Sequence, residues 1–387
     1  MKFIHLADLH LGKKIKTLRG DIELNFHNPL KQIKEIIKEY KPNFLFVSGD
    51  IFHHKNPSQE AEELFIDFLL NSHKHVDYTF VISGNHDSSK KLSNIALFNK
   101  YINEFTSKKV FVYTDQDLRE DIFNNKLLPL STDKVDVIMI PFLEYRTALN
   151  AFYNQNVPKE FAYSFIHRGI LTKYLENSKA PVKIVLAHMY IENSVLSGNE
   201  SKNYINTIYH VKEGDLDSKV TYYALGHVHK YQKVGSSNIY YSGSIIPLDF
   251  GEDFPHGIIL ANIQNNFPKV EFCKLNYKEF ITIKQNPLLF EEIEKNKDKF
   301  VKVIYKDLSA EDTDKLLNFE NVIKIQKEEQ RMENITSSKS ESSINDPFNI
   351  IQMYENFYEF ERKEKVNPSV LEKLTKIEQE ITTEEVF

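Results

Sequence analysis

Cysteine and tryptophan are nearly absent from this chain. Its 387 residues contain one cysteine, Cys273, and no tryptophan. A single cysteine excludes an internal disulfide framework and any metal site built from several thiolates. Long apolar runs are missing too, and the segment Met1–Asp8 becomes charged too early for a secretory signal. We therefore expect a cytoplasmic protein without a membrane-spanning segment.

An excess of basic residues is also missing. Lys and Arg number 49 against 55 Asp and Glu, which gives a formal net charge of -6. A nucleic-acid partner must then be held by local clusters of lysine and arginine. Hydrophobic residues make up 41% of the chain and aromatic residues 12%, enough for a sizeable core. The length exceeds what one ordinary core holds, so we expect two or three structural units.

The first half of the chain alternates short β-rich runs with helical patterns, which is typical of a layered α/β fold. Helical spacing of apolar residues predicts helices over Asn28–Tyr40 and Glu60–Leu70 and from about Ser88 onward. The predicted strands are Lys2–Ala7, Phe44–Ser48, Thr79–Ser83, Val135–Ile140, Lys183–Ala187 and Thr221–Leu225, followed by a hairpin of Ile239–Ser242 with Gly257–Ile263. The stretch 115–133 is either an insertion or a surface hairpin.

Changes in composition divide the chain into four parts. We expect a large domain over residues 1–268, a small α+β domain over 269–330 that opens with a strand at Val270–Leu275, a linker over 331–345 and two helices within 346–387. The linker is rich in Ser, Glu and Asn and has no apolar period. The last part is unusually aromatic, so we expect its apolar face to be buried on another surface.

Side chains that bind metal ions follow the ends of five predicted strands. In chain order they are Asp8 and His10, Asp50 and His53, Asn85 with His86 and Asp87, His188, and finally His227 and His229. Carboxylate, amide oxygen and imidazole groups bind divalent cations, and strand ends converge at one edge of a sheet. The glycine before Asp50, Asn85 and His227 leaves room for a neighbouring loop. The sequence thus predicts a metal site at this edge.

Each of these segments alone has an ordinary interpretation. An Asp after a strand is often a helix N-cap, Asn-His-Asp forms turns, and an isolated histidine such as His188 is usually a core or surface residue. The signal is the occurrence of all five in order, each after an apolar strand. The histidines that lack such support are taken as structural, namely His5, His73, His75, His167, His210 and His256.

The order D-x-H, G-D, G-N-H-D, H, G-H-x-H resembles the signature of the calcineurin-like metallophosphoesterase superfamily, over about the first 260 residues. A finer resemblance is to the SbcD family of DNA-repair nucleases. It is carried by the segments Ala7–Gly12, Ser48–His53, Ser83–Ser88, Tyr241–Ser244 and Leu248–Glu252. Metal binding does not require the last two of these segments, which together span Tyr241 to Glu252. They distinguish the nuclease branch from other phosphoesterases.

The superfamily resemblance implies two metal ions that share one carboxylate. The implied ligands are Asp8, His10, Asp50 and His229 for one ion, and Asp50, Asn85, His188 and His227 for the other. His86 would position the scissile phosphate or assist the leaving 3′ oxygen, tuned by Asp87; its alternative is a simple turn residue. His53 matches a family position beside the site, whereas His54 does not.

The nuclease resemblance implies an Mn²⁺-dependent enzyme of DNA double-strand-break repair and recombination. It would act as an exonuclease on duplex ends and as an endonuclease on single strands or hairpins. The small domain would cap the catalytic domain, and the C-terminal helices would dock on an SbcC-like ABC-type coiled-coil ATPase. The alternatives are a small-molecule metallophosphodiesterase, which would need neither of these two parts, and a metal-free interaction module.

Two surface features are assigned on weaker grounds. A homodimer is implied through helices 60–70 and 88–101, whose apolar surplus is also explained by core packing. That surplus consists of Phe65, Phe68, Leu92, Ile95, Leu97 and Phe98. Basic residues that follow the first and third motifs are placed to meet DNA phosphates, although each taken singly is an ordinary solvated charge. These residues are Lys13, Lys14, Lys16 and Arg19, and Lys90 and Lys91.

Overall fold

The computed structural model describes residues 1–328 except 133, 146–147, 149–158, 198–208 and 236–237, together with 366–367 and 370–371. Residues 1–328 form one compact unit. The linker predicted over 331–345 lies outside the described residues, and so do all but four residues of 346–387. The helices predicted there therefore stay predictions.

The first sheet has six strands and carries the first three motifs. Its strands are β1 (Lys2–Leu6), β4 (Phe44–Ser48), β5 (Tyr78–Ile82), β6 (Lys109–Tyr113), β15 (Gly257–Gln264) and β16 (Phe267–Lys274). Their order is β16-β15-β1-β4-β5-β6. Strands β1, β4, β5 and β6 run parallel to one another, and β15 pairs antiparallel with β1. The ends of β1, β4 and β5 therefore lie side by side at one edge.

The second sheet also has six strands and carries the last two motifs. Its strands are β7 (Leu130–Ser131), β8 (Val135–Ile140), β9 (Val182–His188), β12 (Tyr222–Gly226), β13 (Gln232–Val234) and β14 (Ile239–Tyr241). Their order is β13-β14-β12-β9-β8-β7. Strand β12 lies between β9 and β14 and is parallel to both. The ends of β9 and β12 are consequently neighbours.

The two sheets pack face to face, and helices cover their outer faces. Phe3, Phe46 and Phe80 of the first sheet and Ile184 and Tyr222 of the second share one buried cluster. A second cluster joins the first sheet to helices α1 (His27–Tyr40) and α2 (Gln59–His73). A third joins the second sheet to helix α5 (Lys159–Glu176). This α/β/β/α arrangement confirms the layered α/β class that the sequence predicts.

The helices form where apolar spacing and capping chemistry agree. In α1, Leu30, Ile33 and Ile37 are buried on one side, and the helix ends at Lys41, which has a φ of 50°. Pro42 follows and cannot continue the helix. In α2 the Ser58 side chain accepts a hydrogen bond from the Ala61 amide. Helix α3 (Ser89–Phe105) follows the third motif. None of the described helices is long and apolar enough to cross a membrane.

The stretch 115–133, expected to be an insertion or hairpin, begins with a helix. Helix α4 (Asp115–Phe123) starts with a capping box, in which Thr114 accepts from the Asp117 amide and the Asp117 side chain accepts from the Thr114 amide. This T-x-x-D pattern, followed by a helix, is a recognised start signal. The helix was therefore readable from the sequence but was missed.

The hairpin predicted between Ile239–Ser242 and Gly257–Ile263 is wrong. Strand β14 lies in the second sheet, whereas β15 lies in the first and forms a hairpin with β16. The connecting residues Asn265 and Asn266 both have positive φ, as a two-residue hairpin turn requires. The strand predicted at Val270–Leu275 to open the small domain is consequently part of the large sheet.

A small three-stranded sheet follows. It consists of parallel strands β17 (Phe280–Lys284), β18 (Phe300–Tyr305) and β19 (Val322–Lys327), with helices α6 (Leu289–Lys295) and α7 (Ala310–Leu317) between them. It has its own buried cluster, which includes Ile293, Val301 and Leu316. A hairpin of β2 (Lys14–Thr17) and β3 (Gly20–Glu23), for which no pattern was recognised, reaches this sheet: the Leu18 amide donates to Ile323 O.

Candidate metal centre

The structure brings the seven predicted metal ligands together at one edge of the two sheets. All seven are between 0 and 7% exposed, namely Asp8, His10, Asp50, Asn85, His188, His227 and His229. His10 and His229 are 219 positions apart, yet their Nε2 atoms are 3.2 Å apart. His188 Nε2 and His227 Nδ1 each lie 3.0 Å from Asn85 Oδ1. Buried polar groups at this density need compensation from a charge or from hydrogen bonds.

Asp50 lies between two groups of ligand atoms. Its Oδ2 is 3.6 Å from His10 Nε2 and 3.5 Å from His188 Nε2. Its other oxygen accepts a hydrogen bond from the His86 amide at 2.9 Å. One carboxylate oxygen therefore faces both groups, which is the geometry expected of a bridging ligand.

The ring nitrogens and oxygens that face the centre fit metal ions. His188 Nδ1 lies 2.8 Å from Ser48 O and donates to it, so Nε2 is the ring nitrogen that faces the centre. Atoms that bind one ion at about 2.1 Å lie about 3.0–3.5 Å from one another, which matches the separations above. Asp8, His10 and His229 form one group that can hold a metal ion, and Asp8, Asp50 and His188 form another.

The backbone at the centre is held in an uncommon conformation. Asp8, His10, Asp50 and His227 all have positive φ, between 46° and 99°. Non-glycine residues rarely adopt this conformation, and it persists only where the surroundings impose it. Those surroundings include the Asp8 carboxylate, which accepts from the His227 amide at 3.0 Å and so ties the first motif to the last.

The glycines before the motif residues are needed for close approach, as the sequence predicts. A Cβ on Gly84 would collide with the carboxylate of Asp50. One on Gly49 would collide with the His188 ring, and one on Gly226 with Ser48 O. The motif loops can pack this closely only because these positions lack a side chain.

Burial and charge shift the titration of the buried ligands in opposite directions. Burial raises the pKa of Asp8. Burial alone would also raise the pKa of Asp50, but the adjacent His188 and His86 hold it well below its usual value. Burial lowers the pKa of His10 well below its usual value and that of His227 to about 3. Burial alone would lower the pKa of His188, but the adjacent Asp50 raises it to about 9, so this ring has to give up a proton when it binds a cation. Neutral imidazoles and an ionised Asp50 are the forms that bind cations.

His86 lies at the centre without belonging to either ligand group. Its Nδ1 is 2.9 Å from His53 O and donates to that carbonyl. The Nε2 atom is then the ring nitrogen left to meet a substrate in the cavity that His86 lines. Asp87, expected to tune His86, contacts other groups. Its carboxylate accepts from the Gly84 amide at 2.8 Å and from the Ile51 and Phe52 amides, so it ties two motif loops together.

His53 is at the site, as its position suggested, and it contacts Lys13. His53 Nδ1 is 3.3 Å from His10 Nδ1, and His53 Nε2 is 3.2 Å from Lys13 Nζ. Burial lowers the pKa of His53 to about 3 and also lowers that of Lys13. His10, His53 and His86 form a third cluster with spacing suited to a metal ion. Lys13 is thus a basic residue at the edge of the centre, where it also lines the cavity.

The other basic residues expected to meet DNA divide into two kinds. Lys14 and Lys16 are exposed on β2, and Lys90 is exposed beside Asn85 and Asp115. Lys91 instead pairs with Glu62 at 2.6 Å. Arg19 is directed away from the centre: it donates to Val322 O at 3.0 Å and Phe319 O at 2.9 Å in the small sheet. A guanidinium used in this way is not available to phosphates.

Several residues of the site had no role at the metal centre assigned to them from the sequence. Leu248 and Asp249 line the cavity opposite the motif loops. The ring of Phe142 stands 6.2 Å from those of His188 and His227. Glu252 lies behind His229, 2.7 Å from its ring. The residues of the motifs can be identified from the sequence pattern. The position of these other residues at the site is seen only in the folded chain.

A family model and several solved structures match this chain. A model of the calcineurin-like phosphoesterase family matches residues 1–231. Among solved structures, TT1561 of Thermus thermophilus is 11% identical, with 70% of this chain and 98% of that one covered and a TM-score of 0.36. A dimetal phosphatase from Danio rerio is 9% identical, with 72% and 99% covered and a TM-score of 0.38. GAP50, described as the anchor in the inner membrane complex of Plasmodium, is 12% identical, with 80% and 98% covered and a TM-score of 0.36.

Proposed function

This chain belongs to the calcineurin-like phosphoesterase family, and from that premise we propose that it is an Mn²⁺-dependent DNA nuclease of the SbcD type. Membership of this family implies metal-dependent hydrolysis of phosphoesters. The substrate, the metal and the partner are the proposal. The observation that supports it is the convergence of seven buried predicted ligands at one sheet edge, where five of them and His86 line one small cavity.

We propose two ion positions. Asp8, His10, Asp50 and His229 would hold one ion, and Asp50, Asn85, His188 and His227 the other. Support comes from the Asp50 oxygen that faces both groups and from ligand atoms 3.0–3.6 Å apart. When bound, two divalent cations supply Lewis-acid stabilisation of the phosphoryl oxygens.

His86 would position the scissile phosphate or assist departure of the leaving oxygen. Because its Nδ1 donates to His53 O, it would exchange a proton with the substrate through Nε2. Lys13 would add positive charge at the same cavity, since its Nζ lies beside the His53 ring. Both residues line the cavity, but neither belongs to a proposed ligand set.

The size of the cavity favours a substrate that lies mostly outside it. The cavity is about 110 Å³, whereas sites that enclose a small ligand are typically about 300–1,000 Å³. A phosphate group fits, and the rest of the substrate would cross the surface. Lys13 lines this cavity, and Lys55 and Lys90 line a neighbouring one. Carboxylates line both cavities too, so we expect salt-sensitive rather than tight binding of DNA.

We also propose the assembly that the resemblance implies. An SbcC-like ABC-type ATPase would dock on the aromatic segment within 346–387, and the small domain would cap the nuclease domain. A homodimer would form through α2 and α3. Phe65, Phe68, Leu92 and Ile95 are buried in the chain's own core, so among the described side chains of that surplus the exposed Leu97 is the one available to such an interface. The side chain of Phe98 is outside the described residues.

One assay tests the substrate class. The purified chain is incubated with Mn²⁺ or Mg²⁺ and with duplex, single-stranded and hairpin DNA, beside a chromogenic phosphodiester. We expect cleavage of DNA that depends on Mn²⁺. Activity confined to the small ester would instead assign a small-molecule metallophosphodiesterase, and no hydrolysis of any of them would favour a metal-free interaction module.

A further inference from the structure

The stretch Tyr241–Glu252, which metal chemistry did not require, surrounds one of the proposed ligands. Glu252 Oε1 lies 2.7 Å from His229 Nδ1, on the side of the ring opposite the metal centre. The Glu252 side chain is fully buried. A buried carboxylate must be compensated by close donors, and His229 is one of them.

This contact fixes which nitrogen of His229 faces the centre. Glu252 Oε2 accepts from the Leu248 amide, and Oε1 lies 2.7 Å from His229 Nδ1. A carboxylate oxygen is the acceptor in both contacts, so the proton between Glu252 and His229 is on Nδ1. Nε2 then presents its lone pair towards His10 Nε2, 3.2 Å away.

The second oxygen of Glu252 is held as well. Oε2 accepts from the Leu248 amide at 2.9 Å, so the carboxylate cannot rotate without losing that bond. His256 is buried close by, with its Nε2 3.8 Å from the same oxygen and its Nδ1 2.8 Å from Ser244 Oγ. His256 was taken as an unrelated structural histidine, but it belongs to the wall around Glu252.

The same stretch also holds the backbone of His229. The Ser244 amide donates to His229 O at 3.0 Å. Gly243 has a φ of 74°, and a Cβ on it would lie 2.5 Å from His229 O. Glycine therefore permits the close approach that the Ser244 bond needs. The ring and the backbone of His229 are thus both fixed by one segment.

We propose that Glu252 is a positioning residue, which holds His229 in the ring orientation and tautomer that bind a divalent cation through Nε2. This inference rests on the metal centre proposed above and deepens it. A carboxylate behind a ligand histidine also makes the imidazole a stronger base and hence a better ligand. The effect concerns the proposed ion held by Asp8, His10, Asp50 and His229, because His229 belongs to that ligand set.

The test compares Glu252→Gln with Asp253→Asn. The first removes the charge and leaves a side chain of the same size; the second removes a charge from the exposed neighbour. Mn²⁺ is titrated into the full chain, and free Mn²⁺ is measured by electron paramagnetic resonance. Loss of a group that supports a ligand histidine typically weakens metal binding about 10–100-fold. We expect that loss at one of two sites in Glu252→Gln and none in Asp253→Asn.

The outcomes separate the two hypotheses. A wild-type chain that binds fewer than two Mn²⁺ ions contradicts the proposed metal centre itself. A wild-type chain that binds two, with Glu252→Gln binding both as tightly, overturns the positioning role alone. An equal loss in Asp253→Asn overturns it too, because any nearby negative charge would then suffice. Thermal unfolding in EDTA checks that the variants are folded. Because EDTA removes the metal ions, the unfolding temperature then contains no contribution from metal binding.

A second measurement uses the wild-type chain and so does not depend on a variant that folds. Histidine rings are labelled with ¹⁵N, and two-bond proton–nitrogen spectra of the metal-free protein report the tautomer of each ring. The His229 signals are identified by their loss in His229→Gln. We expect the proton on Nδ1. A proton on Nε2, or rapid exchange between the two tautomers, would show that Glu252 does not fix the ring.

Discussion

At the scale of single residues, the centre combines buried ligands with backbone strain. Asp8, His10, Asp50 and His227 adopt positive φ, at a cost of about 1–3 kcal/mol each. The loops tolerate this because they are bonded to one another: the Asp8 amide donates to Gly49 O, and the His10 amide donates to Asp50 O. The strain is local, so substitutions of the side chains at the centre are expected to alter binding more than folding.

Asp50→Asn is expected to weaken both cation sites. One of its carboxylate oxygens faces both ligand groups, and an amide supplies neither the charge nor a second equivalent oxygen. Equilibrium dialysis with Mn²⁺ measures the number of ions bound. If the variant still binds one ion with wild-type affinity, Asp50 is a ligand of a single site.

His86→Ala is expected to bind both cations and to lose cleavage. The His86 ring donates to a backbone carbonyl and belongs to neither proposed ligand set, while losing a general acid or base typically costs about 10²–10⁴-fold in rate. Anomalous scattering from Mn²⁺-soaked crystals counts the ions, and DNA cleavage gives the rate. A missing ion in the variant would make His86 a ligand instead.

His167 is expected to make the fold weaker in acid. Burial lowers its pKa from 6.5 to about 4, and neither ring nitrogen has a hydrogen-bond partner among the described residues. Above pH 6.5 the His167 ring is neutral in both the folded and the unfolded chain, so the free energy of unfolding is not reduced by this residue. As the pH falls from 6.5 to about 4, only the unfolded chain gains the proton, so the free energy of unfolding drops by up to about 3 kcal/mol.

Urea unfolding in EDTA at several pH values measures this loss. His167→Leu should show a shallower loss of stability over the same pH range than the wild type. The exposed His75 provides the matched control, since His75→Leu removes a histidine that is not buried. If the free energy of unfolding has the same pH dependence in wild type and His167→Leu, His167 takes up its proton in the folded chain as readily as in the unfolded chain.

At the scale of elements, the β2–β3 hairpin connects the metal centre to the small sheet. Lys13 precedes the hairpin and lines the cavity, whereas Arg19 at its tip donates to carbonyls that follow α7. The basic cluster predicted from the sequence is therefore divided. Lys13 lines the cavity, and Arg19 fastens the hairpin to the carbonyls beside the small sheet.

The exposed lysines should set the salt dependence of DNA binding. We expect Lys13→Ala, Lys14→Ala and Lys16→Ala together to reduce the slope of log affinity against log salt by about 0.7–0.9 for each phosphate that these lysines neutralise. Fluorescence anisotropy in EDTA measures binding without cleavage. Lys38→Ala, in the last turn of α1 at the opposite end of β4, is the control. An unchanged slope in the triple variant would reduce these lysines to solvated charges.

At the scale of the whole molecule, residues 1–328 form one compact unit, and the sequence predicts a polar linker and two helices beyond it. The predicted amphipathic helices would suit a groove between partner helices, and a flexible linker would let the proposed nuclease move relative to the proposed ATPase. Deletion from Asn345 onward should therefore preserve Mn²⁺-dependent cleavage and abolish co-purification with the ATPase.

A milder variant guards against a general effect of truncation. Replacing Phe348, Phe357 and Phe360 by alanine keeps the length of the chain and removes three aromatic anchors. It should weaken ATPase binding and leave cleavage unchanged. A truncated chain that is unfolded would assign the segment to the core, and one that binds the ATPase at full strength would place docking elsewhere.

The sequence by itself determined the elements and the chemistry of the centre. Helical spacing located α1 and α2, and apolar runs located most strands that end in motif residues, because both signals are local. The identity of the ligand types follows from the residues, and their convergence follows from the rule that parallel strands end at one edge. The packing role of Gly49, Gly84 and Gly226 was also readable, since each precedes a motif residue.

Tertiary structure alone decided which groups meet. Whether β14 pairs with β15 depends on which sheet each strand joins, and apolar pattern does not encode that choice. Arg19 looked like a phosphate ligand because its partners lie 298 or more positions away. Glu252 looked irrelevant to the metal because only the path of the chain puts it 2.7 Å from His229. The local sequence pattern shows periodicity and residue chemistry. The partner of a charged side chain can lie hundreds of positions away, so it is decided only when the chain folds.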